Sequence, residues 1–446
     1  MKKEGEKMVK FTFKGGVHPD DGKSLSKNKE ITELLPKGDL VYPLSQHIGA
    51  PAKSIVGRGD HVLRGQKIAE AGGFVSAPIY ASVSGKVKAI ETRLTPTGGK
   101  VESIVIENDQ LYEEVEYPEA KPWEELTKEE ILSIIAEAGI VGMGGAGFPT
   151  RVKLSPKEPD KIDYVIANCA ECEPYITTDY RRMIENPEEL VNGMAVILKL
   201  FDNAIGIFAI EDNKMDCVEK IEALIKDQPR MQVKVLQTKY PQGSERQLIY
   251  AATKRAIHSA MLPADAGCIV DNVETIIHIY QAVVKGRPSM ESLVTVSGDG
   301  IASPANFKVY FGTNQRELVE AAGGLVEGTE KVISGGPMMG FAMYSLDVPV
   351  TKTTSAIVCL KKDAVSAMEP TPCINCGRCV EVCPSRLIPS RLARISERGD
   401  EEGFIKMNGL ECMECGSCSY VCPAKRQLKQ AIGSMRKTAL ANRRKK

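Results

Sequence analysis

Between residues 50 and 90 the apolar positions come in short runs broken by glycine, among them G-D-x-V-x-x-G-Q (Gly59–Gln66) and V-S-G-K-V (Val83–Val87). Runs of this length with regular turn residues predict a small all-β unit. From Thr127 the period changes. In TKEEILSIIAEAG, Ile131, Leu132, Ile134 and Ile135 recur at helical spacing behind a capping box at Thr127 and Glu130. IDYVIAN, AIGIFAI and MQVKVLQT then read as strands, and PEELVNGMAVILKLF and VETIIHIYQAVVKG as helices. This alternation predicts an α/β layer with a largely parallel sheet, whose ligand lies off the carboxyl ends of the strands. Residues 291–350 read β-β-α-β with glycine punctuation, as in a small β-grasp domain, and SRLIPSRLARISERGDEEGFIKMNGL is helical in composition.

Composition narrows the class. A chain of 446 residues suggests three or four domains, and 58 basic against 58 acidic residues leave no net field to attract nucleic acid. Only GSMRKTALANRRKK at the end is strongly basic, and it reads as a solvated tail. No apolar run reaches eighteen residues, and the charged stretch Met1–Lys10 precedes no signal-peptide core. The expectation is therefore a cytosolic or peripheral protein without a transmembrane segment. In such a compartment thirteen cysteines point to metal rather than to disulfides.

Eight of them form two copies of C-x-x-C-x-x-C-x-x-x-C-P, CINCGRCVEVCP and CMECGSCSYVCP. Zinc sites pair separated C-x-x-C knuckles, whereas three cysteines within seven residues suit the bacterial ferredoxin run, in which the fourth cysteine crosses to the other cluster. By that rule Cys373, Cys376, Cys379 and Cys422 hold one 4Fe-4S cluster, and Cys412, Cys415, Cys418 and Cys383 the second. Cys217, Cys268 and Cys359 stand alone as small buried hydrophobes, while Cys169 and Cys172 form a C-x-x-C open to reading as a thiol pair.

The glycines of VGMGGAGFPTRVKL fit G-x-G-x-x-G, but a helix feeds them and Pro149 follows. A dinucleotide fingerprint needs a strand before and a helix after. The chain is expected to run on extended past Phe148, and no Lys-Ser/Thr pair follows to make a P-loop. The glycines must serve another close backbone approach.

Resemblance supplies one. G-G-A-G-F-P-T-x-x-K at Gly144–Lys153, N-C-A-E-C-E-P at Asn168–Pro174 and D-N-V-E-T at Asp271–Thr275 resemble the flavin-site segments of the complex I NADH-binding flavoprotein subunits. Residues 50–90 resemble the barrel-sandwich hybrid of lipoyl and biotinyl domains, without the modifiable lysine at the hairpin AEAGGFVSAPIYA. With G-G-V-H-P at Gly15–Pro19 and the ferredoxin motifs last, the whole chain resembles the C subunits of Rnf-type ion-translocating electron-transport complexes.

The resemblance implies a multidomain α+β protein. Its parts are an N-terminal arm (1–28), a lipoyl-like barrel-sandwich hybrid (29–110), an FMN/NADH-binding α/β domain (111–288), a β-grasp SLBB-like domain (289–355), a helix-rich two-cluster ferredoxin domain (360–436) and a basic tail (437–446). It implies noncovalent FMN wrapped by Gly142, Gly144, Gly145 and Gly147, with Lys153 supplying positive charge. Asn168 and Glu171 would bond the ribityl chain and ring, and Asp271, Asn272 and Thr275 would close the phosphate side. Gly243 and Glu245 of Y-x-x-G-x-E would seat the nicotinamide, with Tyr240 as aromatic partner and NADH favoured over NADPH. Glu245 and Glu171 would be the catalytic carboxylates.

The implied activity is that of an NAD-linked oxidoreductase subunit of a translocase. Hydride is exchanged between NAD(H) and FMN, and single electrons pass between FMN and the two clusters. The expected partners are the other membrane subunits, and indirectly ferredoxin, at the cytoplasmic face of the membrane. Nucleic acid is not expected. Compared with the complex I subunits, Ala170 and Ser244 replace acidic residues and Asp271 replaces an asparagine, which thins the nucleotide contacts more than the flavin contacts. Two other readings stay open, a cobalamin reductase of the propanediol-utilisation type and a flavin-free electron-wire adaptor.

Overall fold

The computed structural model describes residues 10–117 and 121–445. The first nine residues of the arm and the last residue of the tail lie outside the described residues.

The arm leads into β1 (Ile31–Leu34) and then into a sandwich made of β2 (Leu40–Pro43), β3 (Lys53–Ser54), β4 (His61–Val62), β5 (Lys67–Glu70), β6 (Ile79–Tyr80), β7 (Gly85–Leu94) and β8 (Lys100–Asn108). Two antiparallel sheets, ordered β2-β8-β7-β4 and β3-β5-β6, close over Leu40, Tyr42, Val62, Ile68, Ile79, Val87, Ile104 and Ile106. Strand β1 falls within the stretch expected for this sandwich yet pairs elsewhere.

The second unit carries α1 (Lys128–Glu137), α2 (Thr150–Lys153), β9 (Tyr164–Cys169), α3 (Thr178–Glu185), α4 (Pro187–Leu200), β10 (Ile205–Glu211), α5 (Met215–Leu224), β11 (Met231–Leu236), α6 (Glu245–Thr253), β12 (Cys268–Asn272) and α7 (Val273–Lys285). The capping box on α1 is formed, Glu130 N–H donating to Thr127 Oγ1 (3.2 Å) and Thr127 N–H to Glu130 Oε2 (2.8 Å). The sheet β11-β10-β9-β12 is parallel throughout. Val165, Ala167 and Cys169 of β9 pack into the core that α1, α4, α5 and α7 cover, and Ile166 into the one that α6 covers. Burial on both faces explains the unbroken apolar runs, and parallel pairing brings the loops after β9, β11 and β12 to one edge.

The third unit has β13 (Glu291–Ser297), β14 (Ala305–Tyr310), α8 (Gln315–Ala321), β15 (Lys331–Ser334), β16 (Phe341–Ala342) and β17 (Ala356–Leu360). Its sheet runs β1-β14-β13-β17-β15-β16. It therefore exceeds the expected 289–355 at both ends. Strand β17 fills the place between β13 and β15, and β1 adds itself in parallel to β14, from Ile31 opposite Asn306 to Leu34 opposite Val309.

The ferredoxin unit is helical: α9 (Arg378–Glu381), α10 (Pro389–Glu397), α11 (Glu401–Lys406), α12 (Ser417–Tyr420) and α13 (Leu428–Lys445) surround Leu392, Ala393, Phe404 and Ile432. The basic end is not a loose tail. Helix α13 continues through it, because Ile432, Met435 and Ala439 recur at helical spacing and are buried against the module. No helix among the described residues is long and apolar enough to cross a membrane.

Candidate functional site

The glycine loop is pinned at its neck, where Gly142 N–H donates to the Phe148 carbonyl (2.8 Å) and Val141 bridges Pro149. The chain stays extended only as far as Pro149. Pro149 then caps the single turn α2, where an N–H would have no partner within the helix. Inside the loop Met143 N–H donates to Thr275 Oγ1 (2.9 Å), which tethers the glycines to the first turn of α7. Asn272, the N-cap of that helix, accepts from Glu274 N–H (2.9 Å) and donates to Asp179 Oδ2 (2.7 Å).

The four glycines face different things. A Cβ at Gly144, whose φ is +67°, would lie 3.4 Å from Asn272 Nδ2, and one at Gly142 would lie 4.0 Å from Lys153 Nζ. At Gly145 a Cβ would meet nothing within 4 Å, so this residue faces open space. At Gly147 it would strike Thr353 Cγ2 at 2.9 Å and approach Gln46 and His47. Gly147 is thus packed on the Cβ side against Thr353 and against Gln46 and His47 of the sandwich domain.

Lys153 donates to the Val270 carbonyl (2.6 Å) and to Asp271 Oδ1 (2.9 Å). Burial alone would lower its pKa, but the Asp271 and Glu245 carboxylates hold it above the ordinary value. Burial pushes the Asp271 carboxyl up, with Lys153 pulling it back. Glu245 opens α6 with its side chain exposed, and partial desolvation raises its pKa while Lys153 lowers it. Lys153 thus stands between the Asp271 and Glu245 carboxylates at the edge where the strands end.

Asn168 ties two of the edge loops together, its Nδ2 donating to the Gly243 carbonyl (2.8 Å). Glu171, at φ +47°, accepts Asp179 N–H on Oε1 (2.7 Å), and its Oε2 lies 3.6 Å from Lys23 Nζ. Two buried lysines that sequence reasoning missed support this loop. Lys23 donates to the Glu173 (3.1 Å) and Ile176 carbonyls, and Lys214 to the Ala170 carbonyl (2.7 Å) and Glu211 (3.3 Å). Neither lies in a motif or a periodic run, so nothing local marked them. Beneath the loop, desolvation and the neighbouring Glu171 carboxylate raise the Asp179 pKa to about 8.

Two expectations change here. Tyr240 is 1% exposed, and its hydroxyl donates to the Cys415 carbonyl (2.8 Å), so its ring is turned to the ferredoxin module and closed to a nicotinamide. Cys169 and Cys172 do not share surroundings. Cys169 packs in the core with Cys217, whereas Cys172 accepts Gly243 N–H (3.3 Å) and packs near Tyr240 and Cys415.

In the ferredoxin module Cys383, Cys412, Cys415 and Cys418 line one cavity together with Leu387, Met413 and Ile432. This is the second ligand set expected from the crossing rule. Of the first set, Cys379 is buried, Cys373 and Cys422 are half-buried and Cys376 is exposed. Cys373 borders a separate open cavity of about 830 Å³ with Arg394, Glu397 and Arg426. The second set is thus the inner one. Val17, Tyr240, Cys172, Met338 and Val382 pack around Cys415. Glu173 holds Met338 in place by accepting its N–H (3.1 Å) and that of Met339 (3.0 Å).

The residues fit the implied groups. Four thiols around one apolar cavity are the donor set of an iron–sulfur cubane. At the strand edge Asp271 Oδ2 is buried without a hydrogen-bond partner, and Glu171 Oε2 has only the Lys23 ammonium 3.6 Å away, an acceptor-rich edge that suits the hydroxyl donors of a ribityl chain.

Comparison with known families matches residues 11–111 to the RnfC barrel sandwich hybrid domain and residues 135–281 to the Nuo51 FMN-binding domain. Residues 293–342 match the SLBB domain, and 372–425 the 4Fe-4S dicluster domain. The chain is 47% identical over 424 residues to the C subunit of the proton-translocating ferredoxin:NAD(+) oxidoreductase complex of Clostridium ljungdahlii, covering 94% of this chain and 92% of that one. It is 43% identical to the C subunit of the Na(+)-translocating ferredoxin:NAD(+) oxidoreductase complex of Acetobacterium woodii, over 97% of this chain and 98% of that one. A solved NAD+-reducing NiFe-hydrogenase in its H2-reduced state superposes with a TM-score of 0.50 at 19% identity, over 72% of this chain and 62% of that one, a likeness of fold alone.

Proposed function

The chain belongs to the family of C subunits of ion-translocating ferredoxin:NAD(+) oxidoreductase complexes, and on that premise we propose that the edge where β9, β11 and β12 end is where electrons enter or leave as NAD(H). It is an electron-transfer subunit working between NAD and iron–sulfur clusters, with the other subunits of its complex as partners. The order of domains, sandwich first, separates it from the cobalamin-reductase reading.

FMN, when bound, exchanges electron pairs with a nicotinamide and single electrons with clusters. In our reading Gly142, Gly144 and Gly145 give it bare backbone, Lys153 and Asn272 face its phosphate side, and Asn168 and Glu171 its ribityl side. Thr275 acts by fixing the loop. Glu245, at the open start of α6, receives the carboxamide or ribose hydroxyl at the nicotinamide end of NADH. The observation that carries this reading is the Lys153–Asp271 ion pair (2.9 Å) on the edge where Glu245 opens α6, one hydrogen-bonded loop away from Cys415. Of the two clusters, the one that Cys383, Cys412, Cys415 and Cys418 would hold would lie nearer the flavin-side loops, through Tyr240 and Cys172.

The two relatives move different ions, and no helix among the described residues can span a membrane. We place the ion path in the partner subunits, this chain standing on the cytoplasmic face with ferredoxin reached through them.

Glu245→Gln tests the nucleotide end. Loss of one charged hydrogen bond costs on the order of 1.5 to 3 kcal/mol, or roughly ten- to a hundred-fold in affinity. Anaerobic stopped-flow should show NADH bleaching weakened by that factor while dithionite reduces the same flavin unchanged. An unaltered NADH response would put the nicotinamide elsewhere.

A further inference from the structure

Lipoyl and biotinyl carriers present a lysine at the tip of a hairpin, and the corresponding tip here, between β5 and β6, reads Gly72-Gly73-Phe74. The tip is clamped. Gly72 N–H donates to Ser76 Oγ (2.9 Å), and a Cβ on Gly72 would lie 1.9 Å from the Pro51 carbonyl oxygen, a contact only glycine permits. Ala77 N–H donates to His47 Nε2 (3.1 Å), and the adjoining Ile48 N–H donates to the carbonyl of Gly147 (3.2 Å). The hairpin is therefore fastened to the Gly147 end of the glycine loop, beside the turn that carries Arg151.

Its aromatic side chain is left outside. Phe74 is 69% exposed, and its ring centre lies 5.6 Å from the guanidinium carbon of Arg151. Arg151 is exposed on α2, the turn that joins the glycine loop to Lys153, and among the described residues it makes no ion pair. An anchored backbone that offers a bare ring beside an unpaired guanidinium matches a purine attached to a diphosphate. Any base can stack on an aromatic face, and a guanidinium takes phosphate oxygens in pairs. The cation also sets the ring in place before a ligand arrives.

We propose that Phe74 and Arg151 form the subsite for the adenosine diphosphate half of the nicotinamide dinucleotide, so that the barrel-sandwich domain supplies one wall of the NAD(H) site. The assignment rests on the reading of the strand edge as that site, with the nicotinamide end at Glu245. It gives the hairpin a role in place of the lysine it lacks.

The test uses the whole chain, flavin-loaded, with ADP-ribose titrated calorimetrically and with NADH and reduced nicotinamide mononucleotide as alternative reductants. Phe74→Ala should weaken ADP-ribose binding, and raise the NADH concentration needed for half-maximal bleaching, by roughly ten- to a hundred-fold, the scale of one base stack. Reduced nicotinamide mononucleotide, which has no adenosine, should be unaffected, and Phe74→Tyr should restore NADH. Unchanged ADP-ribose affinity, or equal weakening of both reductants, overturns the proposal. FMN content is read separately. A flavin-free wild type would sink the reading of the strand edge, while the ADP-ribose titration would still decide on Phe74.

Discussion

Cys415→Ser is expected to remove the inner cluster and disconnect the flavin from everything beyond it. Cys415 is buried, shares its cavity with Cys383, Cys412 and Cys418, and has its carbonyl held by Tyr240. A serine oxygen is a harder and poorer ligand for iron than a thiolate, so iron should fall from about eight to about four per chain. NADH should still bleach the flavin, because the glycine loop and the Lys153–Asp271 pair do not touch this cavity. Transfer onward to a soluble one-electron acceptor should drop to background. Cys359→Ser is the control, since Cys359 is buried in the core of the third unit and should leave iron unchanged. Full iron in Cys415→Ser would refute the ligand assignment, and full onward transfer with the cluster gone would refute its place nearer the flavin.

Gly145→Val should abolish flavin retention and leave the iron in place. Gly145 has no positive φ requirement and its Cβ would enter open space, so the substitution neither strains the backbone nor clashes with protein. A valine there fills the volume the flavin needs. Overpacking a fitted site costs about 1 to 3 kcal/mol or more, a loss of roughly ten- to a hundred-fold in affinity. Gly147→Ala should behave differently. At φ +69°, with Thr353 Cγ2 2.9 Å and the Gln46 carbonyl 3.2 Å from the added methyl, it should lower thermal stability by loosening the packing of the loop on Thr353 and the sandwich domain. If Gly145→Val keeps its FMN, the open face of the loop is not the flavin's.

Much of this arrangement was legible because it is local. The capping box at Thr127, the strands after Ile162, Ala204 and Gln228 and the two cysteine runs each write their geometry into neighbouring residues. What escaped was set by distant partners. Strand β1 looks like part of the sandwich and is drawn to β14, almost three hundred residues away, because that edge offers unpaired backbone. Lys23 and Lys214 are ordinary lysines until folding seals them under the loop after β9. Tyr240 was expected on the nucleotide side from its place in Y-x-x-G-x-E, yet its pairing with Val17 turns it toward Cys415. The basic end read as a tail because its charges outnumber the three apolar contacts that dock it as helix.

The most direct test of the whole account measures iron, FMN and NADH-dependent bleaching together on one anaerobically purified sample. About eight irons and about one noncovalent FMN per chain are expected, with the flavin and cluster absorbance both bleached by NADH. Zinc in place of iron, or a flavin-free protein whose clusters do not respond to NADH, would contradict it.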